Sequence, residues 1–199
     1  MEADWEFEVG GDAPVIEACW PGFVDLRWTQ QTVRDLPARV RSLPEVAQLP
    51  ALAAVIERLN SQPSPVWTAK CDFWPALAAE DFDATELDAP PGSSAHAMAC
   101  YVDLLPKSDQ QWPTPPTIEA ACKQLCAALR AEPLRSCRVD LVLRRALIAD
   151  GRMDMGITAY ITACGATPSA AQAVLETALA TFAGVLCSRS TVQSEGMGE

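Results

Sequence analysis

Residues 137–148, CRVDLVLRRALI, place Val139, Leu141 and Leu143 on one side and Arg138, Asp140 and Arg144 on the other. A side-chain period of two marks a strand with one buried and one wet face, and no helix accommodates it. The period recurs at residues 4–9, where Trp5, Phe7 and Val9 oppose Asp4, Glu6 and Glu8. It recurs again at residues 66–74, with Trp67, Ala69, Cys71 and Phe73 toward a core and Thr68, Lys70 and Asp72 away from it. Residues 95–105, AHAMACYVDLL, are apolar on both sides and read as a central strand that Pro106 ends. Asp150-Gly151 is a turn, joining residues 137–148 to a further strand at 156–164 as a hairpin.

Helical spacing fills the gaps. Between residues 29 and 60 the composition is helical, and Pro37, Pro44 and Pro50 divide it into two or three pieces, the last carrying Leu52, Val55, Ile56 and Leu59 in one stripe. Ile118, Cys122, Leu125 and Leu129 form a second stripe. Thr167 as N-cap and Pro168 as first helical residue open a long alanine-rich helix expected to end near Cys187. Residues 76–94 form an acidic, proline-containing connection with a mobile tip, and residues 15–27 are apolar but broken by Pro21-Gly22.

This order predicts an α+β fold, an antiparallel sheet with helices packed on one face. Its β-α-β-β-α-β portion has the order of a ferredoxin-like sandwich with an added strand and helix. A chain of 199 residues with 49% hydrophobic and 21% charged residues can bury a substantial core, so wholesale disorder is excluded. Residues 1–187 are expected to form a single domain and residues 188–199 a disordered polar tail.

Fifteen basic against 26 acidic residues leave a net charge of −11, a field that repels phosphate backbones, so no nucleic-acid partner is expected. The acidic, alternating start MEADWEFEVG lacks the basic and apolar segments of a signal peptide, which points to the cytoplasm. Residues 170–186 come nearest to a membrane span but contain Gln172, Glu176 and Thr177, and no membrane partner is expected. Eight cysteines without a secretion signal read as free thiols filling a core.

Chemical fingerprints are sparse. There is no phosphate-binding glycine loop, no Gly-x-Ser-x-Gly and no Cys-x-x-Cys. Asp81, Asp83 and Glu86 begin like a calcium loop but put Glu86 where glycine belongs and Gly92 where glutamate belongs. Cys122 and Cys126 supply two thiols one helical turn apart and no further ligands, and the one histidine, His96, lies four strand residues from Cys100, about 13 Å. No cofactor and no metal are expected.

The face left free by the helices is where function is expected. It carries Lys70, Asp72, Tyr101, Asp103, Arg138, Asp140, Arg144, Thr158, Tyr160 and Thr162. Arginines there can grip a carboxylate or phosphate, and Asp72, Asp103 and Asp140 can either pair across strands as proton carriers or form salt bridges. Trp74 and Trp112, each before a proline at the end of an element, are candidates for a pocket rim or subunit contact. The expectation is a non-catalytic module that binds a small polar ligand or self-associates through this face as a homo-oligomer. The alternatives are a small enzyme using the strand-borne Asp, Arg and Tyr residues, and a thiol or metal sensor.

Overall fold

The alternating segments are strands of one sheet in the computed structural model, which describes residues 1–18, 23–27, 29, 32–107, 115–148, 151 and 153–195. β1 (Glu2–Glu8) and the short β2 (Ile16–Glu17) pair in succession with one edge of β5 (Cys137–Leu147). β6 (Met153–Gly165), β4 (His96–Pro106) and β3 (Val66–Trp74) follow, giving the order β1-β5-β6-β4-β3. The hairpin of β5 and β6 is as the alternation predicts, while its expected turn residue Asp150 lies outside the described residues.

The α+β class holds, but the sheet is mixed. β3, β4, β6 and β5 are antiparallel neighbours, whereas β1 and β2 run parallel to β5. Alternation decides which face a side chain takes and says nothing about the direction in which two strands pair. The order also differs from a ferredoxin-like one, in which the first strand sits inside the sheet. Here β6 inserts between β5 and β4, pairing with β4 from His96 to Leu104, and β5 is left to meet β1 at the edge.

Three helical pieces precede β3: α1 (Thr32–Arg41), α2 (Pro44–Gln48) and α3 (Ala51–Leu59). Pro44 begins α2 and Pro50 caps α3, as helix starts tolerate proline. Pro37 is not a divider; it stands inside α1, where it forgoes one backbone hydrogen bond. α4 (Pro115–Arg130) joins β4 to β5, and α5 (Pro168–Glu195) closes the chain. The Thr167 hydroxyl accepts from the Ala170 amide at 3.2 Å, the expected N-cap. α5 runs past its expected end at Cys187 to Glu195, because SRSTVQSE contains neither proline nor glycine. Of the expected tail, 196–199 lie outside the described residues.

All five helices bury residues in one cluster on one side of the sheet, against Cys100, Val102, Leu104, Val139, Leu141, Leu143, Ala159 and Ile161. α5 is its centre. By length and composition Pro168–Ser188, mean hydropathy 1.5, can cross a membrane; in this fold Ala171, Leu175, Leu179 and Phe182 are fully buried against the sheet. Gly165 at the end of β6 permits this approach, since a Cβ there would lie 2.4 Å from the Ala171 amide nitrogen.

One strand breaks its own pattern. A bulge between Thr68 and Lys70 shifts β3 against β4, so Lys70 and Asp72 keep the expected open face while Thr68 turns to the helix side opposite Leu104. There the buried Asn60 donates to the Thr68 hydroxyl at 2.7 Å and accepts from the Thr68 amide at 3.0 Å. Trp67 goes the other way. It packs with Ile16, Ala18, Ala69, Leu105 and Ala146 in a second cluster, and its Nε1 donates to the Pro106 carbonyl at 3.0 Å.

Candidate functional site

The face opposite the helices is closed at both ends. The Trp67 cluster covers one end, where Ile16 leans over Gly156 so closely that a Cβ there would meet it at 2.7 Å. At the other end Leu87 and, less deeply, Leu77 and Phe82 pack on Ala97 and Cys164. The acidic connection of residues 76–94 is therefore anchored by its few apolar residues. Between the caps lies a concavity of about 410 Å³, reached by Lys70, Trp74, Tyr101, Asp103, Arg144 and Tyr160 from the sheet and by Pro14, Val15, Ile16 and Glu17 from the β2 segment.

Strand register sets out its floor in rows. One row crosses five strands as Asp4, Asp140, Tyr160, Tyr101 and Asp72; the next is Glu6, Val142, Thr158, Asp103 and Lys70. The Tyr160 and Tyr101 rings are 5.7 Å apart, and Tyr101 and Trp74 5.6 Å, at tilts of 46° and 36°. Three ring side chains from three neighbouring strands thus form a continuous aromatic strip on an otherwise polar face. Trp74 is 37% exposed and the tyrosines are half-buried.

The polar groups around this strip are linked sideways. Arg144 donates from Nε and Nη2 to Glu8 Oε2 at 2.8 and 2.5 Å, and from Nη1 to the Tyr160 hydroxyl at 3.1 Å and the Thr158 hydroxyl at 3.3 Å. Thr158 in turn donates to Asp103 Oδ1 at 2.6 Å. Arg138 donates to Asp140 at 2.7 Å, with Glu86 at 3.5 Å and Asp4 at 3.9 Å. Both guanidiniums are already engaged by carboxylates, so neither is free to grip an anionic ligand as the sequence suggested. Lys70 differs: it is exposed, and among the described residues it has no carboxylate within 4 Å.

Burial raises the Asp103 carboxyl above its ordinary range, although the Thr158 hydrogen bond and the nearby Arg144 and Lys70 charges oppose the shift. Burial raises Asp140 as well, offset in part by Arg138 and reinforced by Asp4 and Glu86. Tyr101 is pushed upward by burial and then by Asp103 and Asp72. Asp103 is thus a carboxyl able to hold a proton, but it has no carboxylate partner. Asp140 and Asp72 stand in one row with both tyrosines between them, roughly 14 Å at normal strand spacing, and Asp103 lies in the next row. Asp72, Asp103 and Asp140 do not form a shared-proton pair with one another.

Of the residues named from sequence, Lys70, Trp74, Tyr101, Asp103, Arg144 and Tyr160 meet at the concavity. Asp72, Arg138, Asp140 and Thr162 flank it on the same face, and Thr158 is wholly buried as the link between Arg144 and Asp103. Trp112 lies outside the described residues. Glu8, Glu17 and Glu86 were missed. Glu8 was legible as an outward residue of β1, but its partner depends on a parallel pairing that alternation does not encode.

The buried thiols among the described residues are poorly suited to chemistry. Burial pushes Cys71 and Cys122 up to about 12 and Cys137 up to about 11. Cys100, buried beside Cys71, is raised still further, and among the described residues no three His, Cys, Asp or Glu side chains are grouped to hold a metal ion. Comparisons with protein-family models, with curated proteins and with solved structures find no match.

Proposed function

We propose that the chain is a non-catalytic binding module whose trough takes a small polar ligand with a ring-sized apolar face. The observation that carries this reading is the strip of Trp74, Tyr101 and Tyr160 inside the same concavity as Asp103 and Lys70. Ring faces supply apolar contact with little loss of side-chain freedom, while a few placed polar groups orient what lies on them. The enzyme alternative is disfavoured by the separation of the aspartates and the pairing of both arginines. The sensor alternative is disfavoured by the burial of Cys71, Cys100 and Cys122, which raises their thiols.

Self-association through this face is the second use considered, and the two apolar caps leave less flat surface for it. The seven described cysteines are all free, which fits a reducing, cytoplasmic setting. The test is a titration of isotope-labelled protein with neutral, anionic and cationic ring fragments, followed by nuclear magnetic resonance. Saturable shifts at Trp74, Tyr101, Tyr160 and Asp103 are expected from at least one class. No shift at these residues from any class would overturn the reading, and shifts that track protein concentration without ligand would replace it with a homo-oligomer.

A further inference from the structure

Both tyrosine faces of the trough already carry cations. The Arg144 guanidinium carbon lies 5.6 Å from the Tyr160 ring centroid, and the Lys70 ammonium lies 5.9 Å from the Tyr101 centroid, both within the range of cation–π attraction. The two are held very differently. Arg144 is a fixture, its side chain 14% exposed and bonded to Glu8, Thr158 and Tyr160. Lys70 sits on a flexible four-carbon stem, exposed and without an ion-pair partner among the described residues, so it can leave the ring for solvent.

We propose that the trough recognises an organic cation, a substituted ammonium group, over the Tyr101 ring, and that Lys70 is the internal competitor for that position. The inference rests on the binding reading above and names its ligand class. Trp74, its ring centroid 5.6 Å from that of Tyr101 at a tilt of 36°, sets a second aromatic ring beside it. Asp103 stands directly across from Lys70 in the β3–β4 register, which sets a carboxyl group beside the Tyr101 ring for a ligand cation to approach. With Arg144 neutralised by Glu8, the carboxyl groups lining the trough are Asp103 and Glu17, with Asp72 on its flank, against Lys70 alone. The net charge of −11 draws cations toward it and repels anions.

The experiment titrates choline and its uncharged carbon isostere, 3,3-dimethyl-1-butanol, into the full chain at constant ionic strength, reading the Trp74, Tyr101 and Tyr160 resonances. Choline is expected to bind at least about ten-fold more tightly than the isostere. Lys70→Ala and Lys70→Gln should each tighten choline roughly two- to five-fold, the range set by an exposed cation–π contact. Asp103→Asn should weaken it, and Lys123→Ala, which removes the same charge from α4, should leave it unchanged. Equal binding of choline and isostere overturns the ligand class, and unchanged or weaker binding in both Lys70 variants overturns the competitor. If neutral or anionic rings bind the trough while choline does not, this inference fails and the binding module stands. If nothing binds there, both fail.

Discussion

On the helix side of β5 and β6, Val139, Leu141, Leu143, Ile157, Ala159 and Ile161 are each 2% exposed or less. One residue along the same strands, Arg138, Asp140, Arg144, Tyr160 and Thr162 are half-buried and, the threonine apart, joined to one another or to a neighbouring strand. The first face gains its free energy by removing apolar area from water and tolerates no gap. The second consists of partly exposed ion pairs, which contribute at most about 1 kcal/mol each. Stability does not require three aromatic rings to stay half in water between apolar caps, and that is why we propose the second face as the binding face. The difference separates what holds the fold from what the fold presents.

The comparison breaks most sharply at the core. Phe182→Ala, at the fully buried centre of α5, should cost about 3–5 kcal/mol in denaturant unfolding, whereas no single truncation in the trough should approach that. Asn60→Ala comes next. It removes the acceptor of the buried Thr68 amide and the donor to its hydroxyl, and should cost about 2–3 kcal/mol by the same measurement.

Asp103→Asn should show the smallest effect, with the opposite sign. Burial raises this carboxyl in the folded state above its ordinary 3.8, so the fold bears a charging cost at neutral pH that fades as pH falls through the folded value. The amide keeps an acceptor for Thr158 and carries no charge. Melting temperatures should therefore show the variant slightly more stable than the parent at pH 7.5, with the gain gone below about pH 3.8. A variant uniformly less stable at every pH would mean that the carboxylate holds the trough together.

The placement of these two faces was legible in the sequence where strands keep a strict period. Tyr101, Asp103, Arg144 and Tyr160 fell on one face because β4, β5 and β6 pair without a register shift, so the period of two holds along each. In β3 the same rule failed at Trp67, Thr68 and Ala69, since the bulge before Lys70 needs no glycine or proline and leaves no composition signal. The caps were hidden for another reason. β2 has only two residues, and Leu77, Phe82 and Leu87 are scattered through an acidic stretch whose charge masked their packing. Strand direction was out of reach, because a parallel β1 and an antiparallel one bury the same Ala3 and Trp5.

The most direct test of this separation is a double variant, Tyr101→Leu with Tyr160→Leu, titrated with the ring fragments while its unfolding is recorded on the same sample. The account predicts that trough binding is lost and that stability falls by no more than about 2 kcal/mol, the Arg144 hydrogen bond, the partial ring contacts and the two partly exposed cation–π contacts being what is removed. Binding that survives unchanged, or a loss of stability as large as that of Phe182→Ala, would contradict it.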